Sequence, residues 1–221
     1  METLLPNVDW LEIWQASLDT LNMLGGSMLF TVLFGLPLGV LLFLTGPRQM
    51  FEQKGLYAVI SLVVNVLRSV PFVILLILLI PVTVLITGTS LGVAGAIPPL
   101  VVGATPFFAR LVETALREVD RGIIEATQAM GASTRQIIFN ALLPEALPGI
   151  LAAITVTAIT LVSYTAMSGL IGGGGLGDLA VRYGYQRYQP DVMFVTVALL
   201  VVLVQILQTI GDRLVVHFSR K

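Results

Sequence analysis

The sequence contains no cysteine, a single histidine, His217, and only two lysines, Lys54 and Lys221. Without thiols there is no disulfide framework, no thiolate metal site and no cysteine nucleophile. The sequence has no G-x-x-x-x-G-K-[ST] phosphate loop, so energy from ATP would have to come through a partner. Charge is scarce as well: 11% of the 221 residues are charged, against about 25% in a soluble domain. No carboxylate pair or His/Asp/Glu cluster falls at acid–base or metal-ligand spacing within an apolar run, so neither membrane enzymology nor a metal site has support. Nothing in the sequence points to nucleic acid. His217, near the basic C-terminal end, reads as a solvated residue. The N-terminal stretch through Asp9 lacks the basic segment and small-residue cleavage site of a signal peptide, so the first apolar run is expected to be retained.

What the chain does have is apolar length. Hydrophobic residues make up 56% of it, in runs near the roughly 20 residues that a membrane helix needs. Five spans are expected, at about 18–44, 57–86, 91–112, 150–170 and 192–210, with a polar loop at about 113–148. All 221 residues then form one all-α membrane domain; no internal duplication or linker suggests a second. With the N-terminus outside, nine of the twelve basic residues fall in inner segments, only Arg182 and Arg187 lie outside, and Arg68 lies within a span. The positive-inside rule therefore predicts an outside N-terminus and a cytoplasmic C-terminus. The second span is ambiguous, because Pro71 favours a bend just after Arg68. Arg68 is either an interfacial or bundle-facing cation or part of a substrate pathway, since charges inside membranes are costly and often functional.

The polar loop carries local helix signals. Asp120 can cap a short helix in which Ile123, Ile124, Thr127 and Met130 share one side. Gly131 suits the left-handed position that ends such a helix. The run 133–136 (STRQ) has the form of a capping box and starts a second helix through Ile137 and Ile138. Pro144 and Pro148 then punctuate the path into the fourth span. The loop is either a cover for the end of the bundle or a lever pushed by a partner.

Here the residues resemble a known family. Glu125, Ala126, Gly131, Leu143 and Pro144 follow the E-A-A, three residues, G, nine residues, I-x-L-P pattern of permease subunits in binding-protein-dependent ATP-binding-cassette (ABC) importers. Thr127 stands where that pattern has alanine, and Ala141 where it has isoleucine. Segments 68–72 (RSVPF), 88–90 (GTS), 142–149 (LLPEALPG) and 172–177 (GGGGLG) are most similar to methionine-importer permeases, and the likeness runs from Leu18 to Arg213. The resemblance implies a type I importer permease fold: five transmembrane helices per subunit, a homodimer, and a loop that docks as a coupling helix on a cytoplasmic ABC ATPase present in two copies. It implies that the ATPase binds ATP and Mg, that this chain holds no cofactor and is not itself catalytic, and that an extracytoplasmic methionine-binding protein delivers L- and D-methionine to a bacterial cell membrane. Glu125 would then be the polar docking contact, Ala126, Ala129 and Met130 would supply the close apolar fit, and Gly131 would make the turn. The rivals are a permease for another small amino acid, a gradient-driven secondary transporter and a non-transport scaffold.

Other features are less specific. Thr157, Thr160, Tyr164 and Met167 recur near one face of the fourth span and could line a path, with Met167 a candidate gate. Alternatively, the hydroxyls bond back to their own helix. The glycine run 172–177 reads as a tight turn where backbones approach closely. The basic, aromatic segment 182–190 (RYGYQRYQP) is either an interface belt or a surface for the delivery protein. Gly35 and Gly39, flanking Pro37, form a small-residue packing pair.

Overall fold

A computed structural model describes residues 5–219, and every regular element among them is helical. The long helices are α1 (Trp10–Thr45), α5 (Gly92–Arg117), α9 (Leu147–Ser168) and α11 (Pro190–Ser219). Each is long and apolar enough to cross a membrane, α9 together with a tight turn that extends it to Ile171. Between α1 and α5 lie α2 (Lys54–Ser69), α3 (Phe72–Leu78) and α4 (Ile80–Thr87). The polar loop holds α6 (Arg121–Ala129), α7 (Thr134–Gln136) and α8 (Leu143–Glu145), the last two joined by a π-helical turn at Ile137–Leu142. A short α10 (Gly175–Leu179) and a second π-helical turn at Ala180–Tyr185 connect α9 to α11.

The helices extend beyond the apolar runs that announce them. The first begins at Trp10 rather than at Leu18, because Asp9 caps it: its Oδ1 accepts from the N–H groups of Leu11 and Glu12 at 2.9 and 3.2 Å. Hydropathy misses this first stretch, where polar Glu12 and Asp19 alternate with exposed Trp10 and Trp14. At 1.5 Å per residue α1 is about 54 Å long, well beyond a hydrocarbon core of about 30 Å. Likewise α5 runs on to Arg117 and α11 to Ser219, past the charges at which an apolar run stops.

The expected span at 57–86 is not one helix. Between α2 and α3 the chain bends by 102°. Pro71 explains the break: it disfavours helical geometry at the residue before it, and Val70 is extended with ψ 125°. A second break at Leu79 precedes Pro81, and Gly88, at φ +78°, ends α4.

The spine of the bundle is the parallel pair α1 and α5, the most extensive helix contact in the chain. Lipid offers no hydrophobic drive for helices to associate, so close backbone approach matters. Gly35 and Gly39 permit it. A Cβ added at Gly35 would lie 2.7 Å from the Phe108 ring, and one at Gly39 would lie 2.6 Å from Val112 Cβ and 2.7 Å from the Ala109 carbonyl oxygen. The glycine run packs similarly at the far end. Leu176 N–H donates to Thr20 Oγ1 at 2.9 Å, and Gly177 lies against the Ala166 backbone, so α10 folds back on α1 and α9.

This packing yields a paired prediction. Gly39→Ala is expected to lower the stability of the purified protein in detergent by about 1–3 kcal/mol, the usual cost of overpacking. Gly25→Ala, where nothing lies within 4 Å of the added Cβ, is expected to leave it unchanged or slightly raised. Thermal unfolding midpoints of the two variants check the contrast.

Candidate functional site

The polar loop has a buried side and an open side. In α6, Asp120 Oδ1 accepts from Gly122 N–H at 2.8 Å, and Ile124 is buried. Its opposite face presents Glu125, Ala126, Ala129 and Met130, all exposed, with Met130 at 77%. Gly131, at φ +78°, ends the helix. Its N–H donates to the Gln128 carbonyl at 2.9 Å and Ala132 N–H reaches the Thr127 carbonyl at 3.2 Å, the reciprocal pair of a Schellman turn. Ser133 and Gln136 form a complete capping box. Thr127, where the family pattern has alanine, donates to the carbonyls of Ile123 and Ile124 at 2.8 and 2.9 Å, so its hydroxyl is satisfied within the helix. Ala141 lies in the wall of a shallow groove of about 370 Å³ between the two halves of the loop. Leu143 is half-buried and Pro144 exposed at the start of α8.

The buried side ties the loop to the bundle. Ile124, Ile137 and Leu142 enter one apolar cluster with Phe43 of α1, Phe108, Val112 and Leu116 of α5, and Ile150 of α9. Only Glu118, Val119 and Asp120 separate α5 from α6, and only Ala146 separates α8 from α9. The loop therefore has almost no slack against either helix.

The structure reveals a second constellation that sequence reasoning missed. Glu113 reads as one more charge at the loop boundary, yet it is 2% exposed. Arg110 Nη1 donates to its Oε2 at 2.6 Å, Arg117 Nη2 to its Oε1 at 2.7 Å, and the Tyr57 hydroxyl to Oε1 at 3.2 Å. Arg110 also donates through Nη2 to Ser61 Oγ at 2.8 Å and Asn65 Oδ1 at 3.0 Å. These contacts form a polar seam between antiparallel α2 and α5. The signal was present as Tyr57, Ser61, Asn65 and Arg68, which recur at i, i+4, i+8 and i+11 on one stripe of an apolar run.

The seam ends at Arg68, in the last turn of α2, whose guanidinium lies 5.8 Å from the centroid of the Phe107 ring. Beside it, the rings of Phe72 and Tyr164 stack in parallel with centroids 4.2 Å apart. Together with Leu75, these side chains line a cavity of about 110 Å³. Arg68 and Tyr164, far apart in sequence, are thus brought together. Thr160 and Met167 lie on the open stripe of α9 with Val156 and Ser163. Thr157 does not: it is fully buried and donates to the Ala153 carbonyl at 2.7 Å, being rotated by about 100° from Val156 in the helix. Thr160 also bonds back, to the Val156 carbonyl at 2.9 Å, while remaining partly open. Among the described residues no group of three or more His, Asp or Glu could hold a metal ion.

The segment 182–190 lies at the opposite end from the loop. There Arg182 pairs with Asp178 at 2.9 Å and Glu12 at 3.3 Å, and Asn7 donates to Asp191, fastening the start of α1 to the π-helical turn and α11. Tyr185 and Tyr188 stay exposed.

Comparison with known proteins agrees with this architecture. Residues 32–221 match the family described as binding-protein-dependent transport system inner membrane component. A Bacillus subtilis protein named methionine import system permease protein MetP is 50% identical over 211 residues, covering 96% of this chain and 95% of its own. The Escherichia coli D-methionine transport system permease protein MetI is 53% identical over 151 residues, 68% of this chain and 70% of its own. A solved structure of inward-facing MetNI, a methionine ABC transporter, superposes with a TM-score of 0.93 at 48% identity, over 96% of this chain and all of the other.

Breaking the Glu113 cluster is expected to be costly. Glu113→Ala leaves two arginines facing each other without their anion, a loss of about 3–5 kcal/mol. The double variant Glu113→Ala, Arg110→Met is expected to recover part of that loss. Unfolding of both in detergent checks the coupling, which an isolated surface ion pair would not show.

Proposed function

Because this chain belongs to the family of binding-protein-dependent transport system inner membrane components, we infer that it is the membrane-spanning subunit of an ATP-driven methionine importer. The observation that carries the reading is the loop: a rigid helix–turn–helix, sunk into the bundle by Ile124, Ile137 and Leu142, with an open face of Glu125, Ala126, Ala129 and Met130. A lever needs both halves, a grip for the partner and a stiff joint to what it moves.

The distribution of basic residues supports a cytoplasmic loop, an outside N-terminus and a cytoplasmic C-terminus, and the family description supports a bacterial inner or plasma membrane. The loop face then docks on the ATPase subunit, which binds ATP and Mg. Glu125 supplies the polar contact, Ala126, Ala129 and Met130 the close fit, Gly131 the turn, and Leu143 and Pro144 the return to the membrane. The whole chain, 1–221, acts as one transmembrane domain paired with a second copy, and the path runs between them. Arg68, Thr160, Tyr164 and Met167 face that path, whereas Thr157 packs within the subunit. The names of the relatives support methionine, and the pairing of "methionine" with "D-methionine" among them supports transport of both enantiomers. The exposed Tyr185 and Tyr188 face the side from which a delivery protein would approach.

Reconstitution tests the reading. Proteoliposomes holding this chain, its ATPase and the delivery protein are expected to accumulate radiolabelled methionine only with ATP. Uptake without the ATPase would overturn the assignment. Glu125→Lys is expected to weaken docking by about 2 kcal/mol, roughly thirty-fold in affinity. Gly131→Pro is expected to leave ATP hydrolysis running without uptake, because the bundle still folds but the joint at the loop is altered. Coupled uptake at the unsubstituted rate in both variants would remove the loop from the mechanism.

A further inference from the structure

Arg68 differs from the other arginines fixed against the bundle. Arg110 and Arg117 share Glu113, and Arg182 has Asp178 and Glu12. Among the described residues Arg68 has no carboxylate partner, only the face of Phe107 at 5.8 Å. It stands fourteen residues along α2 from Lys54, about 21 Å up the helix at 1.5 Å per residue. A cation at that depth is costly unless it faces water or an anion, and such residues mark ligand paths. Apart from Arg68 and Gly103, the side chains lining the cavity are aliphatic or aromatic: Phe72 and Tyr164 stack in parallel at 4.2 Å, with Phe107 and Leu75 beside them. A bare guanidinium over a small aromatic cavity matches a ligand with a carboxylate at one end and a compact apolar chain at the other.

We propose that the bend after Arg68 is an intramembrane resting site for a zwitterionic amino acid, with its carboxylate on the Arg68 guanidinium and its apolar side chain among Phe72, Phe107 and Tyr164. The proposal rests on the importer reading and deepens it by adding a stop within the membrane. A planar guanidinium suits a carboxylate through two parallel donors. Aromatic faces and edges suit a polarizable thioether. No carboxylate lines the cavity, so the ammonium group keeps its water on the open side. At about 110 Å³ the cavity takes a side chain and not a whole ligand, for which pockets run from about 300 Å³ upward. The site is therefore weak, as a stop on a path must be if the ligand is to leave. Its walls come from α2 and α3, α5 and α9, and the loop is joined almost without slack to α5 and α9, so a stroke of the loop changes its shape.

Because this chain has no cysteine, labelling read on its own electrophoretic band reports only an introduced thiol. Val70→Cys places a single thiol in the cavity wall, and its rate of maleimide labelling is measured in the complete permease–ATPase complex in nanodiscs. L-Methionine at twice its dissociation constant is expected to slow labelling about threefold. Methioninol, which has the same side chain but no carboxylate, is expected to leave the rate unchanged. Adding Arg68→Ala or Arg68→Gln is expected to abolish protection, and Arg68→Lys to retain part of it. Failure of methionine to protect, equal protection by methioninol, or protection that persists without the arginine each overturns the site. Protection by anionic phospholipid with no effect of methionine overturns it too, by giving Arg68 to a lipid phosphate. ATP-driven uptake by the unsubstituted complex is scored separately, so loss of this site and loss of the importer reading are told apart.

Discussion

One buried carboxylate holds the α2–α5 seam in place. α2 buries almost nothing against its neighbours; Val64 is its only fully buried residue. In lipid, apolar burial would not hold it in any case, because the surrounding chains are as apolar as the protein. What fastens α2 is polar: Tyr57 on Glu113, and Ser61 and Asn65 on an Arg110 that Glu113 orients. Arg117, on the other side of the same carboxylate, lies against Gly46 where α1 ends. A cluster of this kind is costly to desolvate and is compensated only while every member is present. It sits at the junction of α1, α2 and α5 and pins the first half of α2, whereas the 102° bend follows at the other end of that helix.

Around that anchor, the chain separates rigid transmission from open surface. The loop helices enter the same apolar cluster as α1, α5 and α9, and the joints to α5 and α9 are three residues and one residue long. Force on the exposed face of α6 therefore reaches the helices that carry Phe107 and Tyr164. The close α1–α5 approach at Gly35 and Gly39 ties α1 to any shift of α5.

How much of this was legible in the sequence follows the range of each interaction. The Asp120 cap, the Gly131 turn and the capping box at Ser133 were readable because each is settled within a few residues. The five apolar runs were readable too, although Asp9 extends the first helix through a stretch that hydropathy alone does not admit. Pro71 pointed to the bend and not to its size. Glu113 was illegible: a carboxylate beside two arginines near a loop looks solvated, and its burial depends on Tyr57, fifty-six residues away. The burial of Thr157 was illegible for a similar reason. This threonine lies on the shoulder of the helical stripe that holds Thr160, Tyr164 and Met167, and only the packing of neighbouring helices decides which side of a shoulder is covered.

The near absence of slack between loop and bundle has a thermodynamic corollary. If the grip of a partner on α6 biases the arrangement of α5 and α9, then whatever biases α5 and α9 must alter that grip by the same factor, because coupling free energy has no direction. A stiff joint makes the loop a reporter as well as a handle. Under that condition, the state of the interior is written onto the exposed face of α6.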